Sequence, residues 1–235
     1  MELNQYNQTQ RKIEAITIVV YLALLGYTLY LLFPFITQNP FITITAIIAG
    51  MILADLATGI IHWAGDTWGT PTWPIVGNAL IRPFREHHTN QKAITQHDFI
   101  ETNGTNSIFS LPFILLALWF HHTYQSSVAN TLTLTFLSTA IFGFGTNQFH
   151  KWAHMENPPK FIELLQKSKI ILPKNHHTIH HTTPFEHHYA ITNGWTNSIT
   201  KKIHFYRVLE WIITKTTGAI PRKSDYEIIQ STKQA

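Results

Sequence analysis

All 17 lysines and arginines of this 235-residue chain fall on one side of a four-span reading of its apolar runs. The runs are Ile13 to Ile36, Phe41 to Ile61, Ile108 to Phe120 (extendable to Tyr124) and Val128 to Phe149. A bilayer core takes about 20 residues of helix. The first, second and fourth runs meet this. The third is short, which leaves it tilted, kinked at Pro112 or partly re-entrant. Arg11 and Lys12 precede the first run, Arg82, Arg85 and Lys92 separate the second from the third, and the other twelve follow the fourth. The short connections near Asn39 and Gln125 carry no basic residue. The positive-inside rule makes the basic side cytoplasmic. Charged residues make up 13% of the chain, against about 25% in soluble domains. The first run is too long for a signal-peptide core, and no small-residue cleavage site follows it.

This topology sorts the histidines. Of 15, only His121 and His122 fall on the outer side. They read as interfacial polar residues. Twelve of the inner ones form clusters: His62 with Asp66; His87, His88 and His97; His150 with His154; and the run from His176 and His177 through His180 and His181 to His187 and His188. Neutral imidazole is the commonest transition-metal ligand. Eight or nine imidazoles are too many for one ion, so the count points to two. There is no cysteine, which excludes a disulfide, a zinc–thiolate site and a cysteine-ligated cluster. A nitrogen-rich site free of thiolate accepts iron, zinc or copper.

Spacing adds detail. Asp55, Gly59, His62 and Asp66 are separated by four, three and four positions, which lines one helix face. Asp55 lies within the apolar run, where an ionisable group is costly; it reads either as support for the metal residues or as a partner for a neighbouring helix. His150 and His154 sit one helical turn apart. His177, His180 and His181 share a face, but His176 pairs equally well with His180, which leaves the choice between His176 and His177 open. Asn103-Gly104 and Asn193-Gly194 read as turns. Ile199 to Ile213 gathers Ile199, Phe205, Val208, Leu209 and Ile212 on one face, as an interfacial helix or an amphipathic core helix would. The polar tail, about 221–235, carries no pattern. The expected fold is all-α: one membrane-embedded domain over residues 1–235, with about four transmembrane helices and a cytoplasmic histidine-rich helical cap. Two other functions use histidine clusters. A metal-dependent hydrolase mixes in more carboxylates and keeps an open water position. A metal transporter places its ligands at the bilayer midplane, where only Asp55 lies here.

Four strings resemble the Kua-type lipid desaturases. They are His62-Trp63-Ala64-Gly65-Asp66-Thr67-Trp68-Gly69; His87-His88 followed by Ala93 through Gly104; His150-Lys151-Trp152-Ala153-His154; and Leu172-Pro173-Lys174-Asn175-His176-His177 through His180-His181 to Ile191-Thr192-Asn193-Gly194-Trp195-Thr196-Asn197. The resemblance covers about residues 53–197. It implies a di-iron membrane desaturase that uses dioxygen and two electrons from an external donor of cytochrome b5 or ferredoxin type. The implied substrate is a phospholipid chain, with a 1-O-alkyl ether converted to a 1-O-alk-1′-enyl ether preferred over an acyl chain. The membrane and lipid are its implied partners, with no nucleic acid among them. The family pattern assigns metal binding to His62, His87, His88, His97, His150, His154, His177, His180 and His181, and catalytic roles to Asp66 and His97. His187 and His188 stand where the family has Thr and Tyr, so no metal role carries to them. Ala190 replaces an expected Cys.

Overall fold

The computed structural model describes residues 8–74, 76–182 and 185–221, so the polar tail past Pro221 lies outside the described residues. The regular structure of the described residues is all helical, without a β-strand. The long helices are α1 (Gln8–Gln38), α2 (Pro40–Thr67), α4 (Phe99–Thr123) and α5 (Ser127–His154). The short ones are α3 (Arg82–Thr89), α6 (Lys160–Lys167), α7 (Lys174–His180), α8 (Asn197–Lys202) and α9 (Phe205–Thr217). The four long helices have 25 to 31 residues and are apolar enough to cross a membrane. At 1.5 Å per residue even the shortest reaches about 37 Å, more than the hydrocarbon core of about 30 Å. Helix α1 shows what solvent it expects. It turns Ile16, Val19, Tyr30 and Phe33 outward and buries Glu14 and Thr28. Apolar residues outside and polar residues inside is the arrangement lipid selects.

The chain divides into two compact units. The first holds residues 8–55 and 98–148. Its apolar core is built from Tyr21, Leu32, Ala46, Ile114, Ala117, Leu134, Leu137 and Ala140. The Tyr21 hydroxyl donates to the Ala140 carbonyl at 3.1 Å, and its ring stacks on Phe144. Gly50 meets α5 so closely that a Cβ there would lie 2.4 Å from Ser138. Such contact between small residues is how helices associate in lipid, where no hydrophobic drive pulls them together.

The third span departs from the sequence reading. Helix α4 begins at Phe99, and the Asp98 carboxylate caps it by accepting the N–H groups of Ile100 and Glu101 at 3.0 Å. It then runs unbroken through Pro112. Asn103-Gly104 is therefore helix interior, not a turn. Its polar first turns find partners inside the unit. Thr105 donates to the Glu14 carboxylate at 2.9 Å, Ser107 to the Thr17 hydroxyl at 2.9 Å, and the Asn106 amide to the Gly143 carbonyl at 3.1 Å. Gly104 leaves the room that the Glu14 side chain fills.

The second unit holds residues 56–97 and, among the described residues, 149–221. One apolar cluster is Trp63, Tyr189 and Tyr206; another is Ala153, Leu172 and Ile191. Ile199 to Ile213 is not one helix. His204 takes a left-handed backbone, φ 51°, and separates α8 from α9. Of the expected apolar face, Val208 and Ile212 on α9 are exposed, while Phe205 and Leu209 pack against the Trp63 cluster, so α9 carries features of both the interfacial and the core reading.

Candidate metal centre

Four helices of the second unit carry the chemistry. The end of α2 brings His62 and Asp66, the last turn of α3 brings His87 and His88, the last turn of α5 brings His150 and His154, and α7 with its cap brings His177, His180 and His181. Pro173 fixes the entry to α7, and its carbonyl accepts the N–H groups of His176 and His177 at 3.1 Å. That register turns His177, His180 and His181 to one side. His176 faces another way, against His188 and Asn197, and it is His177 that joins the imidazole groups.

The imidazoles form two groups. His87, His150, His154, His177 and His181 make one; His62, His87, His88 and His180 make the other. Within each, the candidate ligand atoms all lie within 4.8 Å of one another, and His87 belongs to both. In the first group His150, His154 and His177 form a triangle of Nε2 atoms with sides of 3.0, 2.9 and 2.8 Å, and His181 Nε2 lies 2.8 Å from His177 Nε2. Hydrogen bonding cannot account for this triangle. A ring nitrogen is either an N–H or a lone pair, so three mutual contacts include at least one like pair. Lone pairs directed at one cation satisfy all three. Two ligands at about 2.1 Å from an ion and at right angles are about 3 Å apart, which matches these sides.

The second group is oriented by backbone. His62 Nδ1 donates to the Tyr189 carbonyl at 3.0 Å, and His180 Nδ1 to the His187 carbonyl at 3.0 Å. A carbonyl only accepts, so each ring carries its proton on Nδ1 and turns an Nε2 lone pair inward. His88 Nε2 and His180 Nε2 are 2.9 Å apart. Asp66 Oδ2 stands beside this group, 3.3 Å from His62 Nε2 and 3.6 Å from both His88 Nε2 and His180 Nε2. Both nitrogens of the shared His87 are buried without a hydrogen bond. Burial, with repulsion from neighbouring rings second, pushes His87, His177 and His180 well below the ordinary imidazole value, and burial pushes His181 down to about 2. These rings are neutral at physiological pH, the form that binds metal. The donor set therefore fits a metal centre of nitrogen ligands with one carboxylate alongside.

The remaining sequence candidates lie elsewhere. His97 ends a short 3-10 turn in extended backbone, belongs to neither group, and offers its carbonyl to Lys151 Nζ at 2.5 Å. Asp55 is fully buried on α2 and is also in neither group. His187 and His188 are not in the groups either, but the backbone around them supplies the two orienting carbonyls, which no side-chain pattern announces. His121 and His122 end α4, with the His122 ring stacked near Tyr27.

The lipid desaturase domain matches residues 51–224, a span that holds every residue of both groups. The chain belongs to the lipid desaturase family. It is a membrane lipid desaturase, an oxidoreductase. A plasmanylethanolamine desaturase of Myxococcus xanthus is 42% identical over 221 residues, 94% of this chain and 78% of that one. Plasmanylethanolamine desaturase 1 of Mus musculus is 42% identical over 200 residues, 82% of this chain and 72% of that one. The chloroplastic fatty acid desaturase 4 of Arabidopsis thaliana is 30% identical over 177 residues, 74% of this chain and 52% of that one. No solved structure matches this lipid desaturase.

Proposed function

We propose that this desaturase converts a 1-O-alkyl ethanolamine phospholipid into its 1-O-alk-1′-enyl form at a centre of two iron ions. The observation that carries the reading is the pair of imidazole groups joined at His87, in a chain 42% identical to two plasmanylethanolamine desaturases. His150, His154, His177 and His181 would hold one iron, His62, His88 and His180 the other, and His87 serves whichever group its ring faces. Iron bound there would supply the oxygen activation that removal of hydrogen from an unactivated methylene demands and that side chains cannot provide. The reaction balances when the lipid gives up two hydrogens, a donor gives two electrons, two protons enter, and dioxygen leaves as two waters. Asp66, within 3.3 to 3.6 Å of three ring nitrogens, would hold a proton or a ligand position during this exchange. His97 is left with a role outside metal binding.

The electrons come from a separate protein of cytochrome b5 or ferredoxin type, since no cysteine is available for a cluster in this chain. The site lies on the cytoplasmic face. The one-sided placement of the 17 basic residues supports this orientation. The acyl-lipid alternative draws support from the 30% identity to fatty acid desaturase 4, and the higher identity favours the ether.

A host that makes alkyl ether lipids but no plasmalogens decides the substrate. Expression yields a vinyl ether, which mild acid cleaves to a fatty aldehyde. If no aldehyde is released while an acid-stable unsaturated acyl chain accumulates, the acyl substrate replaces the ether one.

A further inference from the structure

The His187 and Tyr189 carbonyls that orient His180 and His62 lie two residues apart on one short segment. Peptide units are planar, so the angle between these carbonyls is set by the dihedrals of residues 188 and 189 alone. His188 takes a left-handed backbone, φ 63°. Such a φ is uncommon outside glycine, is several-fold enriched for histidine, and is strongly resisted by β-branched residues. This segment is itself held. Asn197, 1% exposed, accepts the Ala190 N–H on Oδ1 at 3.0 Å and donates Nδ2 to the Ala190 carbonyl at 2.9 Å. It thus grips both backbone groups of one residue, as a neighbouring strand would. The same Nδ2 lies 3.0 Å from His176 Nε2, on the helix that carries His177 and His180. His176 reaches this position because Gly194, φ 78°, has no Cβ, which would otherwise lie 2.6 Å from the ring. On the other side the Thr58 and Thr192 hydroxyls bond at 2.9 Å, tying the segment to the helix that carries His62.

We propose that Asn197 and the left-handed backbone of His188 are positioning elements: they hold residues 187–190 as a template whose two carbonyls fix the tautomers of His62 and His180. This rests on the metal reading of the two imidazole groups. The template serves one group only. In the other, His177 Nδ1 and His181 Nδ1 are buried without such a bond. The two sites are therefore unequal, and the one built from His62, His88 and His180 binds its ion more tightly. The His188 side chain is secondary; its backbone conformation is what the template needs.

The test is a metal titration of the full-length protein in detergent, with Co(II) added anaerobically and read by its visible ligand-field bands and by metal per chain. The wild type binds two ions with unequal affinity. Replacing the peptide geometry with His188→Val, or releasing the clamp with Asn197→Ala, weakens the tighter site by about 10- to 100-fold, the usual effect of removing a group that orients a ligand, and alters that site's bands alone. His188→Gly, which accepts the left-handed backbone, restores the tighter site relative to His188→Val. If His188→Val does not reach the membrane, Asn197→Ala carries the same comparison. The template is overturned if His188→Val and Asn197→Ala bind as the wild type does, if both sites weaken together, or if His188→Gly is as impaired as His188→Val. A wild type that binds fewer than two ions would instead refute the metal reading beneath it.

Discussion

At Gly59 α2 packs tightly against the segment that orients His62, and adding a single methyl group there tests that contact. A Cβ at Gly59 would lie 2.6 Å from Tyr206 Oη and 3.1 Å from both Cα and Cβ of Ala190. Tyr206 has little freedom to move aside. It is 8% exposed, with its ring 4.9 Å from Tyr189 and 5.5 Å from Trp63. Ala190 is pinned by Asn197 through both of its backbone groups. The methyl must therefore displace packed groups by several tenths of an ångström, which costs about 1–3 kcal/mol as overpacking. For a chain of this size that is a fall in Tm of roughly 2–12 °C. The control is Gly26→Ala. Gly26 is also in a spanning helix, but nothing lies within 4 Å of its added Cβ. There the better helix propensity of alanine leaves Tm unchanged or raises it slightly. Thermal melting of both variants in one detergent makes the comparison. Equal Tm values for Gly59→Ala and Gly26→Ala would refute the close contact.

Other expectations follow from the same geometry. The double variant His121→Gln, His122→Gln keeps wild-type iron and turnover, since both rings lie outside the two imidazole groups; loss of iron on metal analysis would overturn that placement. His154→Ala and His181→Ala each lower bound metal and abolish turnover while the protein still inserts in the membrane, because insertion depends on the apolar helices; wild-type activity in either variant would remove it from the ligand set. Metal-free protein loses stability in acid. His87, His177, His180 and His181 have folded values below the unfolded one, near 6.5, so only the unfolded chain gains their protons as pH falls past that point. Each ring kept neutral in the folded state adds to the loss in that window. Tm measured at pH 8 and pH 5 shows the fall, and equal values would contradict it.

The helical membrane architecture was legible because two independent sequence patterns agree, the apolar runs and the one-sided basic residues. Both imidazole groups were legible as residues, because four-residue spacing at the end of a helix, as in His150 and His154, forces two rings onto one face. The Asn193-Gly194 turn was legible too, since Gly194 takes the positive φ such a turn needs. Asn103-Gly104 misled for a physical reason. A polar stretch reads as a loop until another helix supplies its partners, and Glu14 and Thr17, some 90 residues away in sequence, do so. The division at His204 was hidden because the apolar spacing of Ile199 to Ile213 continues across it. His97 carried the same signal as its neighbours, yet it caps a 3-10 turn in extended backbone and belongs to neither group. The orienting carbonyls of His187 and Tyr189 had no signature at all, because every residue has a carbonyl and only the fold decides where it points.

The central claim is that the two groups of imidazoles hold two iron ions. Iron per chain, measured on protein purified under anaerobic conditions, tests it most directly. The account predicts two irons per chain. One iron per chain, or zinc in place of iron, would contradict it.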